Sequence, residues 1–236
     1  MHDSARRGRQ TSADPDRHAE MDRGAAAAAM DGFILAGGLS SRMGRDKHAL
    51  LLEGRTLLSR IAERMAPACR SVRTVVAGPE QAERVRAAAP ELAAPVLEPY
   101  AGEGPLAGLH GAMLAAEAPL VWLAACDMPF VSAAAARRLA AALERCGSAG
   151  CAAPRIGSRL QPLHAVYRRD IALAAADRLL QSGERRLSAL LEALDVLVPV
   201  GVEMGVRDAA MPISFNVNTP ADYEASLRLA AEGGGE

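Results

Sequence analysis

From Asp31 onward, short apolar runs alternate with longer alanine-rich amphipathic stretches, and the first run, Phe33-Ile34-Leu35-Ala36, stops on Gly37-Gly38. Short apolar runs bounded by glycine and proline read as strands covered on both faces, and the stretches between them as crossover helices. That alternation restricts the chain to the α/β class, a mostly parallel sheet with helices on both faces joined by right-handed crossovers. The spacing predicts strands over 33–36, 72–77, 95–97, 120–125, 149–153, 162–167, 196–200 and 213–217. Helices are expected over 56–67, 79–88, 106–117, 132–145, 169–181, 187–194 and 220–231. Ligands of open parallel sheets sit outside the carboxyl ends of the strands, so unusual residues should gather there.

Residues 1–29 mix arginine, aspartate and turn formers with almost no apolar pattern, and cannot bury enough surface to offset ordering. They read as a disordered tail or as an extension upstream of a start at Met21 or Met30, and residues 232–236 as a frayed end. One domain over 30–231 remains, without internal repeats. A formal net charge of −1 and 3% aromatic residues leave neither a basic surface nor stacking rings for nucleic acid. No apolar stretch reaches membrane-spanning length and no export signal is visible, so a cytoplasmic protein is expected. The four cysteines form no C-x-x-C pair and read as reduced thiols, with Cys126 a small buried hydrophobe beside Asp127.

The richest segment runs from Leu35 and Ala36 through Gly37, Gly38, Ser40, Ser41, Arg42 and Gly44 to Lys47. Glycines let backbone amides approach a ligand, the serines add hydroxyls, and Arg42 and Lys47 add a forked and a mobile cation. Such a loop cradles an anion of polyphosphate type. It is neither a Walker loop nor the G-x-G-x-x-G dinucleotide fingerprint.

Three further clusters follow. Gly104-Pro105-Leu106-Ala107-Gly108 opens a helix whose free amides favour an anion or a polar ligand edge. Asp127 follows the apolar run 120–125, where a carboxylate against a dry wall suits a hard cation such as magnesium. Asn216 and Asn218 alternate on an expected strand just before Thr219-Pro220-Ala221-Asp222, which reads as a capped helix start. His48, His110 and His164 read as structural or surface histidines, and 182–188, with Glu184, Arg185 and Arg186, as a solvated loop.

The thirteen residues from Leu35 to Lys47 resemble the signature L-A-G-G-x-S-S-R-M-G-x-D-K of the molybdenum cofactor guanylyltransferases, matching at every position. Related cytidylyltransferases usually carry L-A-A-G, so Gly37 leans towards guanine. The resemblance implies a single Rossmann-like, three-layer nucleotidyltransferase domain of GT-A-like type. It implies transfer of GMP from GTP to the terminal phosphate of molybdopterin, or of its molybdenum-loaded form, with release of pyrophosphate. Lys47, Arg42 and Asp127 take the catalytic places. The nucleotide falls to Leu35, Ala36, Gly37, Gly38, Ser40, Ser41, Gly44, Gly104, Pro105, Leu106 and Gly108. The family's D-x-P and N-x-N-T-P elements place Mg2+ at Asp127 and Asn218, and the pterin near Asn216. Molybdenum-insertion and apo-molybdoenzyme proteins are implied as partners.

The pattern departs from the family at three places. Gln161 stands where the family more often has glutamate, Ala77-Gly78-Pro79 where it often has a nucleotide-touching asparagine, and Glu98-Pro99-Tyr100 where it often has an aspartate. A cytidylyltransferase or another NTP transferase of the same fold, and a catalytically silent nucleotide-binding assembly protein, therefore stay open as alternatives.

Overall fold

The first apolar run forms the inner strand of the sheet. The computed structural model describes residues 30–37, 47–156, 159–198, 213 and 215–233. The chain runs β1 (Met30–Leu35), a hairpin of β2 (Leu51–Leu52) and β3 (Arg55–Thr56), α1 (Leu57–Met65), β4 (Ser71–Val76) and α2 (Pro79–Ala88). It continues through β5 (Val96–Leu97), α3 (Pro105–Ala115), β6 (Leu120–Ala125) and α4 (Ala133–Arg145). The second half adds β7 (Cys151–Ala152), a hairpin of β8 (Arg155–Ile156) and β9 (Arg159–Leu160), and β10 (Ala165–Arg168). It ends with α5 (Arg169–Gln181), α6 (Leu187–Ala193), β11 (Val196–Leu197) and α7 (Pro220–Gly233).

Among the described residues seven strands form the central sheet, in the order β11-β7-β10-β6-β1-β4-β5. Every neighbouring pair is parallel except those of β10, which runs antiparallel to both β6 and β7. From β1 the chain moves outward to β4 and β5, then returns to β6 on the other side of β1. The direction of winding reverses between β1 and β6, and a crevice opens at their carboxyl ends. Register pairs Leu35 with Ala125 there.

Side chains of β1 and β6 alternate between two cores. Ile34, Trp122 and Ala124 pack under α1, α2 and α4 with Leu58, Ile61, Val85 and Leu139. Phe33, Leu35, Val121 and Leu123 pack under α3, α5 and α6 with Leu106, Leu109, Ala176 and Leu190. Helix α3 lies between the sheet and α5, which is why eight of its eleven residues are buried. A smaller cluster of Leu50, Leu52, Leu57, Phe130, Val217 and Ala230 fastens α7 to the β2–β3 hairpin.

Several expectations change in detail. β1 begins at Met30 rather than at Phe33, because Asp31 and Gly32 belong to it for tertiary reasons. The Asp31 carboxylate accepts from Arg70, Ser71 and the backbone N–H groups of Glu117 and Ala118, which hold its pKa low despite burial. A Cβ on Gly32 would stand 2.9 Å from Cys69 Sγ and 3.0 Å from Met65 Cε. The β2–β3 hairpin was not expected; its turn places Glu53 and Gly54 at φ +52° and +77°. The strands expected over 149–153, 162–167 and 196–200 shorten to β7, β10 and β11. The strand expected over 213–217 does not form among its described residues. Val217 N–H instead donates singly to the Asp127 carbonyl, at 2.8 Å. The tail expected over 1–29 lies outside the described residues.

Candidate active site

A cavity of about 530 Å3 opens over the carboxyl ends of β1, β4, β5 and β6. One end is built after β1 and β6. Leu35 and Gly37 form a wall there, with Lys47 and His48 on the short helical turn after the loop. Cys126 and Asp127 face them from the end of β6. The Cys126 N–H donates to the Leu35 carbonyl at 3.1 Å, which carries the β1–β6 pairing up to the site. Ala36 is fully buried; its N–H donates to Val75 at 2.8 Å and its carbonyl lies 3.0 Å from His48 Nε2.

Asp127 is half-buried. Burial raises its pKa, while the Lys47 ammonium and its own backbone N–H oppose that shift. A partly desolvated carboxylate of this kind gains from any cation brought to it. Lys47 Nζ donates to Asn218 Oδ1 at 2.9 Å. Asn218 is held in turn from behind, because Asp222 Oδ2 accepts from its backbone N–H at 3.0 Å and from that of Thr219 at 2.8 Å. Asp222 N–H donates back to Thr219 Oγ1 at 3.2 Å, so the capping box read from the sequence forms. These bonds pull the Asp222 pKa down.

The other end of the cavity is made by Val75 and Ala77 after β4, Gln81 on α2 and Glu98 after β5. Gln81 reaches back over the start of its helix to accept the Ala77 N–H at 2.8 Å. Glu98 is buried; its Oε1 accepts the Gly102 N–H at 2.8 Å, and burial raises its pKa. Gly104, Pro105 and Gly108 of the α3 start complete this wall. Gly104 caps the helix at φ +91°, a conformation that favours glycine. A Cβ on Gly108 would stand 3.1 Å from Leu35 and 3.4 Å from Glu98 Oε2, so this glycine keeps the cavity's middle open.

Of the residues singled out in the sequence, the fold brings Leu35, Gly37, Lys47, Gly104, Pro105, Gly108 and Asp127 to one cavity. Leu106 is fully buried in the core under α3 and does not line the cavity. Asn216 is exposed, while Asn218 meets Lys47. Gly38, Ser40, Ser41, Arg42 and Gly44 lie outside the described residues. Gln81 was not anticipated; its signal was a glutamine at the third position of a helix opened by Gly78-Pro79.

The donor set fits a hard cation in one respect. Among the described residues no group of three or more histidine, cysteine, aspartate or glutamate side chains gathers, and Asp127 is the carboxylate that lines the cavity beside Lys47. Magnesium bound with a polyphosphate uses one or two carboxylates and takes further ligands from phosphate oxygens. The Oδ1 atom that Asn218 would offer accepts from Lys47 in this structure.

A sheet whose winding reverses beneath a lysine, a half-buried carboxylate and a glycine-opened helix defines an α/β nucleotide-binding domain suited to phosphoryl chemistry. The model of the MobA-like NTP transferase domain matches residues 32–197. A probable molybdenum cofactor guanylyltransferase of Opitutus terrae is 39% identical over 171 residues, which span 71% of this chain and 80% of that protein. Another, of Chloroflexus aggregans, is 35% identical over 207 residues, 83% of this chain and 92% of that one. The crystal structure of molybdopterin-guanine dinucleotide biosynthesis protein A from Archaeoglobus fulgidus superposes with a TM-score of 0.72 at 25% identity, covering 86% of this chain and all of that one. The chain belongs to the MobA-like NTP transferase family, and its three-layer architecture is the one that the thirteen-residue resemblance led us to expect. Among the described residues no helix is long and apolar enough to cross a membrane.

Proposed function

We propose that the cavity binds GTP and that the protein transfers GMP to the terminal phosphate of molybdopterin, or of its molybdenum-loaded form, releasing pyrophosphate. The observation that carries this reading is the polarity of the cavity. A cation and a half-buried carboxylate stand at one end, and a second, buried carboxylate and an amide at the other. The first end suits a triphosphate and the second a base with hydrogen-bond donors.

In the reaction a phosphate oxygen of the pterin attacks the α-phosphorus of GTP. The bond from the α-phosphorus to the bridging oxygen breaks, and pyrophosphate leaves with that electron pair. The nucleophile is already anionic, so no general base is needed. The protein's work is alignment and charge neutralisation. Lys47 leaves Asn218 Oδ1 for the phosphates, and that oxygen is then available beside Asp127. Asp127 and Asn218 would hold magnesium, which supplies positive charge to the phosphate oxygens. Arg42 and the loop residues 38–44 belong to the same phosphate end by resemblance. Glu98 keeps one oxygen on the Gly102 N–H and turns the other to the cavity, where it suits the N1–H and amino donors of guanine.

The test is one incubation of the protein with magnesium, molybdopterin and GTP, CTP, UTP or ATP in turn, with the product read by mass. A guanine dinucleotide and stoichiometric pyrophosphate are expected from GTP. A cytosine product would transfer the reading to the cytidylyltransferases, and tight GTP binding without pyrophosphate would leave a silent binding protein.

A further inference from the structure

Arg185 stands outside the cavity, yet it holds part of the cavity's wall. The turn after α5 is organised by Glu184, whose carboxylate accepts the backbone N–H groups of Arg185 and Arg186 at 2.8 and 2.9 Å and pairs with the Arg186 guanidinium. The Arg185 guanidinium lies the other way. Its Nη1 donates to the carbonyls of Leu180 at 3.1 Å and Glu184 at 2.9 Å, which fixes the group against the end of α5. Its Nη2 then meets Glu103 Oε2 at 2.5 Å.

Glu103 sits between Gly102 and Gly104, two cavity-lining glycines at φ +75° and +91°. Gly102 N–H is the donor to Glu98 Oε1. The contact with Arg185 is also a backbone contact, since a Cβ on Gly104 would stand 3.5 Å from the Arg185 carbonyl oxygen and 3.8 Å from its Cβ. The helices that flank this contact are themselves joined, His110 Nε2 on α3 lying 2.6 Å from Asp177 Oδ1 on α5. An exposed ion pair between two mobile side chains is weak. Here one partner is already immobilised by two carbonyls, so its planar fork loses little freedom on meeting the carboxylate.

We infer that Arg185 is a positioning residue for the nucleotide: it clamps the rim 102–104, and through Gly102 sets the Glu98 carboxylate and the first turn of α3 towards the cavity. This rests on the reading of the cavity as a nucleotide site. A rim containing two positive-φ glycines is adaptable without such a clamp.

The test compares the full chain with Arg185→Gln, Glu103→Gln, Arg185→Lys and the exchanged pair Arg185→Glu with Glu103→Arg. Amide hydrogen exchange, calorimetric titration with GTP and magnesium, and melting temperature are measured for each. Both glutamine variants are expected to exchange faster over 100–108, with 30–35 and 120–125 unchanged, and to bind GTP about fivefold more weakly, the scale of one pairwise coupling. The exchanged pair recovers both properties, and Arg185→Lys recovers them only in part. Unchanged exchange over 100–108 together with unchanged GTP affinity in Arg185→Gln overturns the inference. If Arg185→Gln loses its melting transition, Glu103→Gln, which leaves the end of α5 intact, decides by the same two readouts. A wild type that binds no GTP defeats the nucleotide reading itself, while the exchange rates still show whether the clamp exists.

Discussion

Lys47 and Asn218 lie 171 residues apart in the chain and meet through a hydrogen bond of 2.9 Å. The contact joins the end of the glycine-rich loop to the segment before the last helix. That segment is also tied to Asp127 by the Val217 N–H. Lysine, carboxylate and amide are thus assembled from three remote parts of the chain.

Removing either charge at the phosphate end should abolish most turnover and spare the fold. Lys47→Ala and Asp127→Ala are each expected to slow pyrophosphate release at least about a hundredfold, the scale of one lost electrostatic contact to a transition state. The melting temperature of Asp127→Ala should stay near that of the wild type, because burial disfavours the charged form of Asp127. Near-normal pyrophosphate release from Asp127→Ala would refute the mechanism.

Asp222 acts at one remove. Its carboxylate accepts two backbone N–H groups, those of Asn218 and Thr219. Asp222→Asn keeps one acceptor oxygen and loses the charge. Helix α7 should lose part of its N-terminal capping, seen as a lower melting temperature. Turnover should fall about tenfold if Asn218 is then no longer held in place for the metal, a rise of about 1.4 kcal/mol in the barrier. Melting curves and steady-state rates separate the two effects.

Glu98 should decide between bases. Guanine offers donors at N1 and at its amino group, inosine only at N1, and adenine an acceptor at N1. Titration calorimetry should therefore rank GTP above ITP above ATP, with Glu98→Gln narrowing the spread. Burial raises the Glu98 pKa, so GTP affinity should begin to fall with decreasing pH above the ordinary carboxylate range. A wild type that binds ATP as tightly as GTP removes Glu98 from this role.

His164 should set the acid limit of stability. Its ring is buried, tilts on Trp122 with centroids 5.1 Å apart, and accepts the Ser132 N–H at Nε2. Burial first, and Arg64 nearby, push its pKa down from 6.5 to about 4. Between those values the unfolded chain binds the proton and the folded chain does not. Stability is therefore lost as pH falls from 6.5 to about 4, by about 3 kcal/mol in all. His164→Asn tolerates the φ of +64° and should flatten this slope in urea unfolding at pH 7 and pH 4.5. An unchanged slope assigns the acid loss to other groups.

Much of the fold was legible. Helices α2 and α5 follow from spacing with the expected bounds, and α4 and α7 begin where Ser132 and Pro220 announce them. The β2–β3 hairpin was missed because its strands are two residues each, too short to show a period. The last strand was misplaced because alternation over 213–217 reflects the separate burial of Ile213 and of Val217, the latter with Phe130 and Leu50, with no ladder formed among the described residues.

The glycine-rich loop, the proline-opened helix and the carboxylate after β6 were written in the order of residues, since local propensity and motif spacing need only near neighbours. Which of them share a cavity was settled by strand order and register, which set Leu35 beside Ala125 and so bring the residues after both strands together. The placing of β4 and β5 on the far side of β1 brings Gln81 and Glu98 into the same cavity as Lys47, and the turn after α5 meets the rim at Glu103. Such contacts depend on which side of β1 each crossover returns, a choice made by packing two cores at once, and no run of neighbouring residues carries that information.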